Sequence, residues 1–270
     1  MLTVALLVVG KTLLVPLAIA IFVWILLGAI KGLINRFAPG ETSLPEWLAN
    51  LLAILIIGVS VYATIGIIAS QSDQLAEAIP VYQANFAAIV TSLQGTLNIA
   101  ELPTAEKLLG QLNLAAILSW VGDSVSALMS DVVLIAIYVG FLLAEEHILP
   151  QKIRHLSSDP GQAEHISRLA TDVSDSIQRY ICMKTVVSLL TAVISYVVLA
   201  LVGVDFAAIW ALLVFFLNFI PTIGSMLAVV FPALLTLVQF NTLTPFLLIV
   251  VGLGGTQFVI GNVIEPAYMG

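Results

Sequence analysis

Charged side chains are scarce in this sequence. Lys, Arg, Asp and Glu make up 9% of the 270 residues, whereas 60% of the residues are hydrophobic and the mean hydropathy is +1.12. The long stretch from Phe206 to Ile264 contains no charged residue and no His, Cys or Tyr. Because soluble proteins carry about 25% charged residues, this composition predicts an integral membrane protein. The net charge of −7 argues against nucleic acid as a partner, because nucleic acid needs a clustered basic surface.

Residues that could build a disulfide, a zinc site or a nucleotide site are also scarce. There is one cysteine, so no disulfide can form within the chain. None of the three histidines lies in an H-E-x-x-H sequence, which argues against a zinc protease of that type. The phosphate-binding sequence G-x-x-x-x-G-K-[ST] is missing as well, so nothing indicates direct coupling to ATP. The cysteine is Cys182, and the histidines are His147, His155 and His165.

The chain after Lys184 is equally poor in catalytic groups. A serine mechanism at Ser225 would need a nearby base, and no His or Lys follows that residue. Asp205 and Glu265 are the only carboxylates in this part, and they lie far apart in the sequence. We therefore predict no catalytic residue, no metal and no cofactor, which leaves transport driven by a gradient as the function to consider.

Apolar runs of membrane-spanning length predict an all-α, polytopic fold with about seven membrane segments. A bilayer core requires about 20 apolar residues per helical crossing. The chain reads as one membrane domain over residues 1–270. The runs are Thr12 to Ile34, Trp47 to Ser70, Asp131 to Ala144, Thr185 to Val204, and about three crossings within Phe206 to Ile264.

The distribution of Lys and Arg predicts the orientation, because positive charge near membrane ends is retained in the cytoplasm. Seven of the nine basic residues lie in two connections, so residues 31–46 and 150–184 are expected to be cytoplasmic. Residues 71–130 hold five acidic residues and one lysine and are expected outside. The seven are Lys31, Arg36, Lys152, Arg154, Arg168, Arg179 and Lys184.

Two connecting segments have apolar residues every three or four positions and are predicted to be amphipathic helices. The first, residues 71–130, is expected to pack against the membrane domain or a neighbouring subunit. The second, residues 150–183, is interpreted as a cytoplasmic helix at the membrane interface with a solvated charged face.

Polar residues and helix breakers within Phe206 to Ile264 are the candidates for a transport site. Asn218, Thr222, Gln257 and Asn262 are uncharged, and polar groups inside a bilayer usually face a cavity or the bundle interior. Ordinary interhelical hydrogen bonds are the alternative for each. Pro221 frees a carbonyl near residue 217, and Gly224 permits unusual backbone conformations, as in the broken helices of secondary transporters. A tight turn between two crossings is equally compatible with these residues.

Five short elements recur in order along the second half of the chain. They are Arg179-Tyr180, Lys184, "GVDFA" from Gly203, "LNFIPTIGS" from Leu217 and "NVIEPAYMG" from Asn262. With these elements the chain resembles the autoinducer-2 exporter family of bacterial permease-like membrane proteins. The resemblance implies a polytopic inner-membrane transporter that exports a small signalling or metabolite molecule, and it also implies self-association. Family members usually continue beyond the last shared element, so we expect this sequence to be incomplete at its C-terminus.

The resemblance assigns roles to individual positions. Asn218, Pro221 and Gly224 become a candidate gate or substrate-lining break, with Thr222 and Gln257 as further polar candidates. A second break is expected near Pro266. Arg179 and Lys184 become the cytoplasmic mouth, where either could pair with Asp175 or Glu265. The residues of the second break are Asn262, Glu265 and Pro266.

Three functions are compatible with this pattern. The first is an exporter of a small polar organic molecule such as autoinducer-2, embedded in lipid and assembled as a homo-oligomer. Some members of the wider family resemble sodium or lithium/proton antiporters, which is the alternative, with Glu265 as the titrating group. A membrane scaffold that forms oligomers and transports nothing is the third.

Overall fold

The computed structural model describes residues 10–37, 45–97, 130–146, 148, 152 and 160–269, and the regular structure in these ranges is helical. The predictions for residues 38–44, for 98–129 and for most of 147–159 lie outside the described residues, as do His147 and His155. The helices are α1 Lys11–Phe37, α2 Glu46–Leu97, α3 at residues 130–146, α4 Pro160–Val202, α5 Ala207–Leu217, α6 Ile223–Phe240, α7 Leu243–Val259, a π-helical turn Ile260–Ile264, and α8 Glu265–Met269.

The helices confirm the predicted polytopic membrane fold. Five helical stretches among the described residues are long and apolar enough to cross a bilayer. Helix α3 and the short α5 occupy the other two predicted segments. The 11 residues of α5 extend only about 16 Å, roughly half of a bilayer core. The five stretches are Lys11–Asn35, Glu46–Gln71, Glu164–Val202, Ile223–Phe240 and Leu243–Tyr268.

Two helices are much longer than a bilayer is thick. Helix α2 has 52 residues and α4 has 43, so they extend roughly 78 and 64 Å. Each joins a predicted amphipathic segment to a membrane run without interruption. Four apolar side chains on one side of the predicted cytoplasmic helix, Ile166, Leu169, Val173 and Ile177, are exposed. On its charged face Arg168 pairs with Glu164 at 2.6 Å.

The chain forms two compact units. The first takes the described parts of residues 1–57 and 119–182. Its core holds Ala20, Leu27, Ala53 and Val139, so α1, α2 and α3 pack together through small and aliphatic side chains. Glu146 at the end of α3 accepts a hydrogen bond from Trp24 Nε1 at 3.0 Å.

The second unit takes the described parts of residues 58–118 and 183–270. Its core joins α4, α6 and α7. Helices α4 and α7 touch closely, because a Cβ on Gly252 would lie 2.7 Å from Val198 Cγ1. The polar residues predicted at the helix breaks, Asn218 and Glu265 among them, lie in this unit. The core residues are Leu199, Val204, Ala233, Ile249 and Leu253.

Candidate transport site

A break in the helix separates α5 from α6 at residues 218–222, as the sequence predicts near Pro221. Helix α5 ends at Leu217, and Asn218 still donates its backbone N–H to Val214 O at 3.0 Å. Thr222 then adopts φ 63° and ψ −57°, a conformation that residues with a Cβ rarely occupy. Helix α6 resumes at Ile223, so the break is a tight turn between two helices.

Gly224 is required by the close approach of α5. A Cβ at this position would lie 1.7 Å from Leu217 O. Because Leu217 O is a backbone atom, no movement of the neighbouring side chains could relieve this clash. The same carbonyl accepts the N–H of Ile220 at 2.8 Å. The carbonyl that Pro221 was expected to free is therefore satisfied within the turn.

Asn218 lies inside the second unit, with a side chain that is largely buried. Its Nδ2 donates to Ser188 Oγ at 3.1 Å and lies 3.5 Å from Thr191 Oγ1. Both partners belong to α4. The Asn218 amide thus forms the interhelical hydrogen bond that was the alternative interpretation of this residue. Through this bond the break contacts a polar face of α4.

The polar face of α4 was not predicted from the sequence. Lys184, Ser188, Thr191 and Ser195 are spaced by four, three and four residues, which places them on one side of a helix. All four are buried, with 6%, 0%, 0% and 1% of their surface exposed. The signal was present as a helical spacing of polar residues in an apolar run. It was missed because hydroxyl groups in membrane helices often bond only to their own backbone.

Lys184 and Glu265 form an ion pair at one end of this face, with Nζ 2.5 Å from Oε1. The side chain of Lys184 is 7% exposed and that of Glu265 is 23% exposed. The pairing of Lys184 with Glu265 confirms one of the two partners considered from the sequence. Glu265 directly follows the π-helical turn, whose wider winding is typical of functional positions in helices.

Four buried polar atoms of the second unit have no hydrogen-bond partner among the described residues. They are Gln71 Oε1 on α2, Ser195 Oγ on α4, Trp210 Nε1 on α5 and Gln257 Nε2 on α7. The contacts of Val198 with Gly252 and of Lys184 with Glu265 show that α4 and α7 run antiparallel. This register places Ser195 and Gln257 at nearly the same depth, within about two helical turns of the residues that bond Asn218.

The remaining predicted residues lie at the surface. Pro221, Thr222, Pro266 and Arg179 are exposed. Asn262 is exposed as well, and its Nδ2 donates to Phe258 O of its own helix at 3.0 Å. The structure therefore brings Asn218, Lys184 and Glu265 to the polar face of α4, with Gln257 at a similar depth on α7, and it leaves the exposed candidates outside this group.

An apolar groove of about 320 Å³ runs along α4 and α7 next to the polar face. Its lining includes Ile194, Thr256 and Ile260 and is almost entirely hydrocarbon. Such a groove suits an acyl chain better than a polar solute. No cluster of three or more metal-ligating side chains occurs in the described ranges.

Comparisons with known proteins match the whole chain. A family model described as AI-2E family transporter covers residues 1–270. A Haemophilus influenzae protein whose name assigns it provisionally to transport is 28% identical over 264 residues, or 95% of this chain and 74% of the relative. The AI-2 transport protein TqsA of Escherichia coli is 28% identical over 263 residues, or 95% and 73%. A provisionally named transport protein of Borreliella burgdorferi is 36% identical over 142 residues, or 52% and 39%.

Proposed function

This chain belongs to the AI-2E family of transporters, and on that premise we propose that it exports a small polar organic molecule such as AI-2. It is a multi-pass protein of the bacterial inner membrane. The E. coli relative TqsA is named for AI-2 transport, which makes AI-2 the first cargo to test. Movement down a gradient or coupled to one fits a chain without a nucleotide-binding sequence.

The observation that carries the proposal is a set of uncharged polar side chains inside the second unit. We call it the buried polar cluster. Burying a hydroxyl or amide without a partner costs about 1–3 kcal/mol, so the two unsatisfied atoms at Ser195 and Gln257 are expensive unless something binds them during the cycle. The cluster consists of Ser188, Thr191, Ser195, Asn218 and Gln257.

The chemistry of the buried polar cluster suits a neutral hydroxylated solute. Hydroxyl groups both donate and accept, and the amides of Asn218 and Gln257 each offer a carbonyl oxygen and an NH₂ group. A solute with several hydroxyls could replace the Asn218 to Ser188 bond with bonds of its own at little net cost. The single lysine nearby is neutralised by Glu265, so the site offers no free positive charge to hold an anion.

The direction of transport and the orientation form part of the proposal. Lys184 and Glu265 lie at the cytoplasmic mouth, residues 31–46 and 150–184 are cytoplasmic, and residues 71–130 are outside. The clustering of basic residues supports this arrangement. Self-association follows from the resemblance to the exporter family, and cross-linking in native membranes with mass measurement would test it.

Transport of AI-2 into everted membrane vesicles tests the proposed site. An exporter accumulates its cargo in such vesicles. Asn218→Leu removes the amide from the buried polar cluster while keeping a similar volume, and we expect accumulation to fall to the level of vesicles without the protein.

Asn262→Leu is the matched control, because it makes the same substitution at an exposed amide that bonds only to its own helix. Accumulation by this control should remain near that of the unaltered protein. Equal accumulation by Asn218→Leu and Asn262→Leu would show that the buried polar cluster is not the transport site.

A further inference from the structure

Hydrogen bonds join three segments of the second unit just beyond the C-terminal end of α4. Tyr82 on α2 donates its hydroxyl to Asp205 Oδ2 at 2.6 Å, and Asn85 Nδ2 donates to Val238 O at 2.9 Å. Gln239 Oε1 accepts the backbone N–H of Asp205 at 3.0 Å, while Gln239 Nε2 donates to Gly203 O at 2.9 Å. We call this group the clasp; it consists of Tyr82, Asn85, Gly203, Asp205, Val238 and Gln239.

The two turns beside the clasp have fixed backbone shapes. Gly203 has φ 80°, and Phe206 and Asn241 have φ 59° and 51°, all in the left-handed region that most residues avoid. The turns therefore present Asp205 and the end of α6 in defined positions. By contrast, α2 reaches the clasp through side chains, with the ring of Tyr82 8% exposed.

The clasp and the ion pair lie at opposite ends of the membrane-spanning part of α4. The 20 residues from Lys184 to Gly203 correspond to about 28 Å of helical rise, close to the thickness of a bilayer core. Ser188, Thr191 and Ser195 lie between these ends. The clasp therefore lies at the end of the unit toward which a solute leaving the buried polar cluster away from Lys184 would move.

Hydrogen bonds of this kind can open reversibly. Each contributes only about 0.5–1.5 kcal/mol net, because water replaces the partner when the bond breaks. The clasp uses side chains, the turn carbonyl of Gly203 and the Val238 carbonyl in the last turn of α6, and the bond from Gln239 to Gly203 is exposed. Release of α2 would thus produce a minor open state instead of unfolding the core.

We propose that the clasp is the gate between the buried polar cluster and the side of the membrane away from Lys184. Release of Asp205 and Val238 by α2 opens the path on that side. This inference rests on the proposed function, and the test below separates the two.

Cysteine labelling measures the opening without any cargo. In a Cys182→Ser background, Thr236→Cys and Ser195→Cys are placed singly; both native side chains are fully or almost fully buried. Thr236 lies just inside the clasp on α6, and Ser195 belongs to the buried polar cluster. A charged, membrane-impermeant maleimide is added to intact cells and, separately, to everted vesicles. We expect Tyr82→Phe combined with Asn85→Ala to increase the labelling rate of both cysteines in cells by roughly tenfold, as for the loss of two hydrogen bonds.

Controls keep the result specific. Tyr62→Phe, at a fully accessible position of the same helix, should leave both rates unchanged. Leu27→Cys in the core of the first unit should stay unlabelled, which excludes general unfolding. If Leu27→Cys reacts in the double variant, the comparison uses Tyr82→Phe alone, which keeps the buried ring.

The outcomes separate the gate from the transport site. Faster labelling of Thr236→Cys alone would support the gate and remove the buried polar cluster as the site. If the double variant and the protein with an intact clasp show the same labelling rate at both cysteines, in cells and in everted vesicles, the proposal that the clasp is a gate is overturned.

Discussion

Lys184 and Glu265 are 81 residues apart in the chain, yet their charged groups are 2.5 Å apart. They join the start of the membrane-spanning part of α4 to the first residue of α8, directly after the π-helical turn. Since Lys184 is almost completely buried, its charge is stabilised by this carboxylate and not by water. The pair therefore ties the two helices together at the predicted cytoplasmic mouth.

Removal of one member of this pair should destabilise the protein more than removal of both. Lys184→Met leaves a partly buried carboxylate without a partner, and Glu265→Gln leaves a buried ammonium; each should cost about 3–5 kcal/mol. The double variant has no uncompensated charge and should melt at a higher temperature than either single variant. Thermal melting in detergent, followed by size-exclusion chromatography, measures all three. A double variant as unstable as the sum of the singles would contradict this role.

Gly224→Ala should prevent the α5 to α6 turn from forming. The added methyl group would overlap Leu217 O, so we expect a loss of at least about 3 kcal/mol in stability and little folded protein in the membrane. Gly254→Ala is the control, since a Cβ there meets no atom within 4 Å. It should stabilise the helix by about 0.5–1 kcal/mol. Similar yields of the two variants would show that the turn tolerates a side chain.

Ser195→Ala should separate transport from stability. The hydroxyl has no partner, so its removal should leave the melting temperature unchanged or raise it by the equivalent of about 1 kcal/mol. Accumulation of AI-2 in everted vesicles should nevertheless decrease. Ser188→Ala provides the contrast, because it strips an acceptor from Asn218 and should lower stability as well. Unchanged accumulation with Ser195→Ala would exclude this hydroxyl from the transport site.

Tyr82 should ionise only at strongly alkaline pH. Burial, followed by the hydrogen bond to Asp205 and the charge of that carboxylate, raises the pKa of Tyr82 well above its usual value. A raised pKa means that the neutral phenol stabilises the folded state fully below about pH 10, and that this stabilisation is lost as the pH rises further.

Phenolate absorbance measures this ionisation as the difference between the unaltered protein and Tyr82→Phe. The difference should show no transition near pH 10, and in an Asp205→Asn background the transition should move to lower pH. A transition at the usual pH in the unaltered protein would mean that Tyr82 is not held by Asp205 in the membrane.

The sequence was most informative where a residue type leaves few structural choices. The break near Pro221 could be predicted because an amide, a proline and a glycine at three-residue spacing are unusual within an apolar helix, and Lys184 had few acidic partners within reach. The hydroxyl groups of Ser188, Thr191 and Ser195 did not indicate a particular partner, since each can donate a hydrogen bond to a backbone carbonyl of its own helix. Tyr82 and Asp205 could not be paired from sequence, because neither spacing nor charge links two positions so far apart.

The full lengths of α2 and α4 could not be predicted from the sequence either. Apolar and amphipathic periodicities are different patterns, so each helix was divided where one pattern gives way to the other. No glycine or proline lies at either junction, and nothing in the backbone therefore ends the helix there. The pattern describes the surroundings of a helix and does not mark its end, and even Pro80 lies within α2 without ending it.

The π-helical turn Ile260–Ile264 means that the chain holds one residue more than a regular α-helix would need to reach Glu265. If that turn rewound to α-helical geometry at constant length, Glu265 would rotate by about 100° around the axis and leave Lys184. Deleting one residue inside the turn, by contrast, would preserve the angular phase of Glu265, while deleting one elsewhere in α7 would not. The segment is thus the place in this helix where a change in chain length is best tolerated, and where the angular position of Glu265 relative to Lys184 is set.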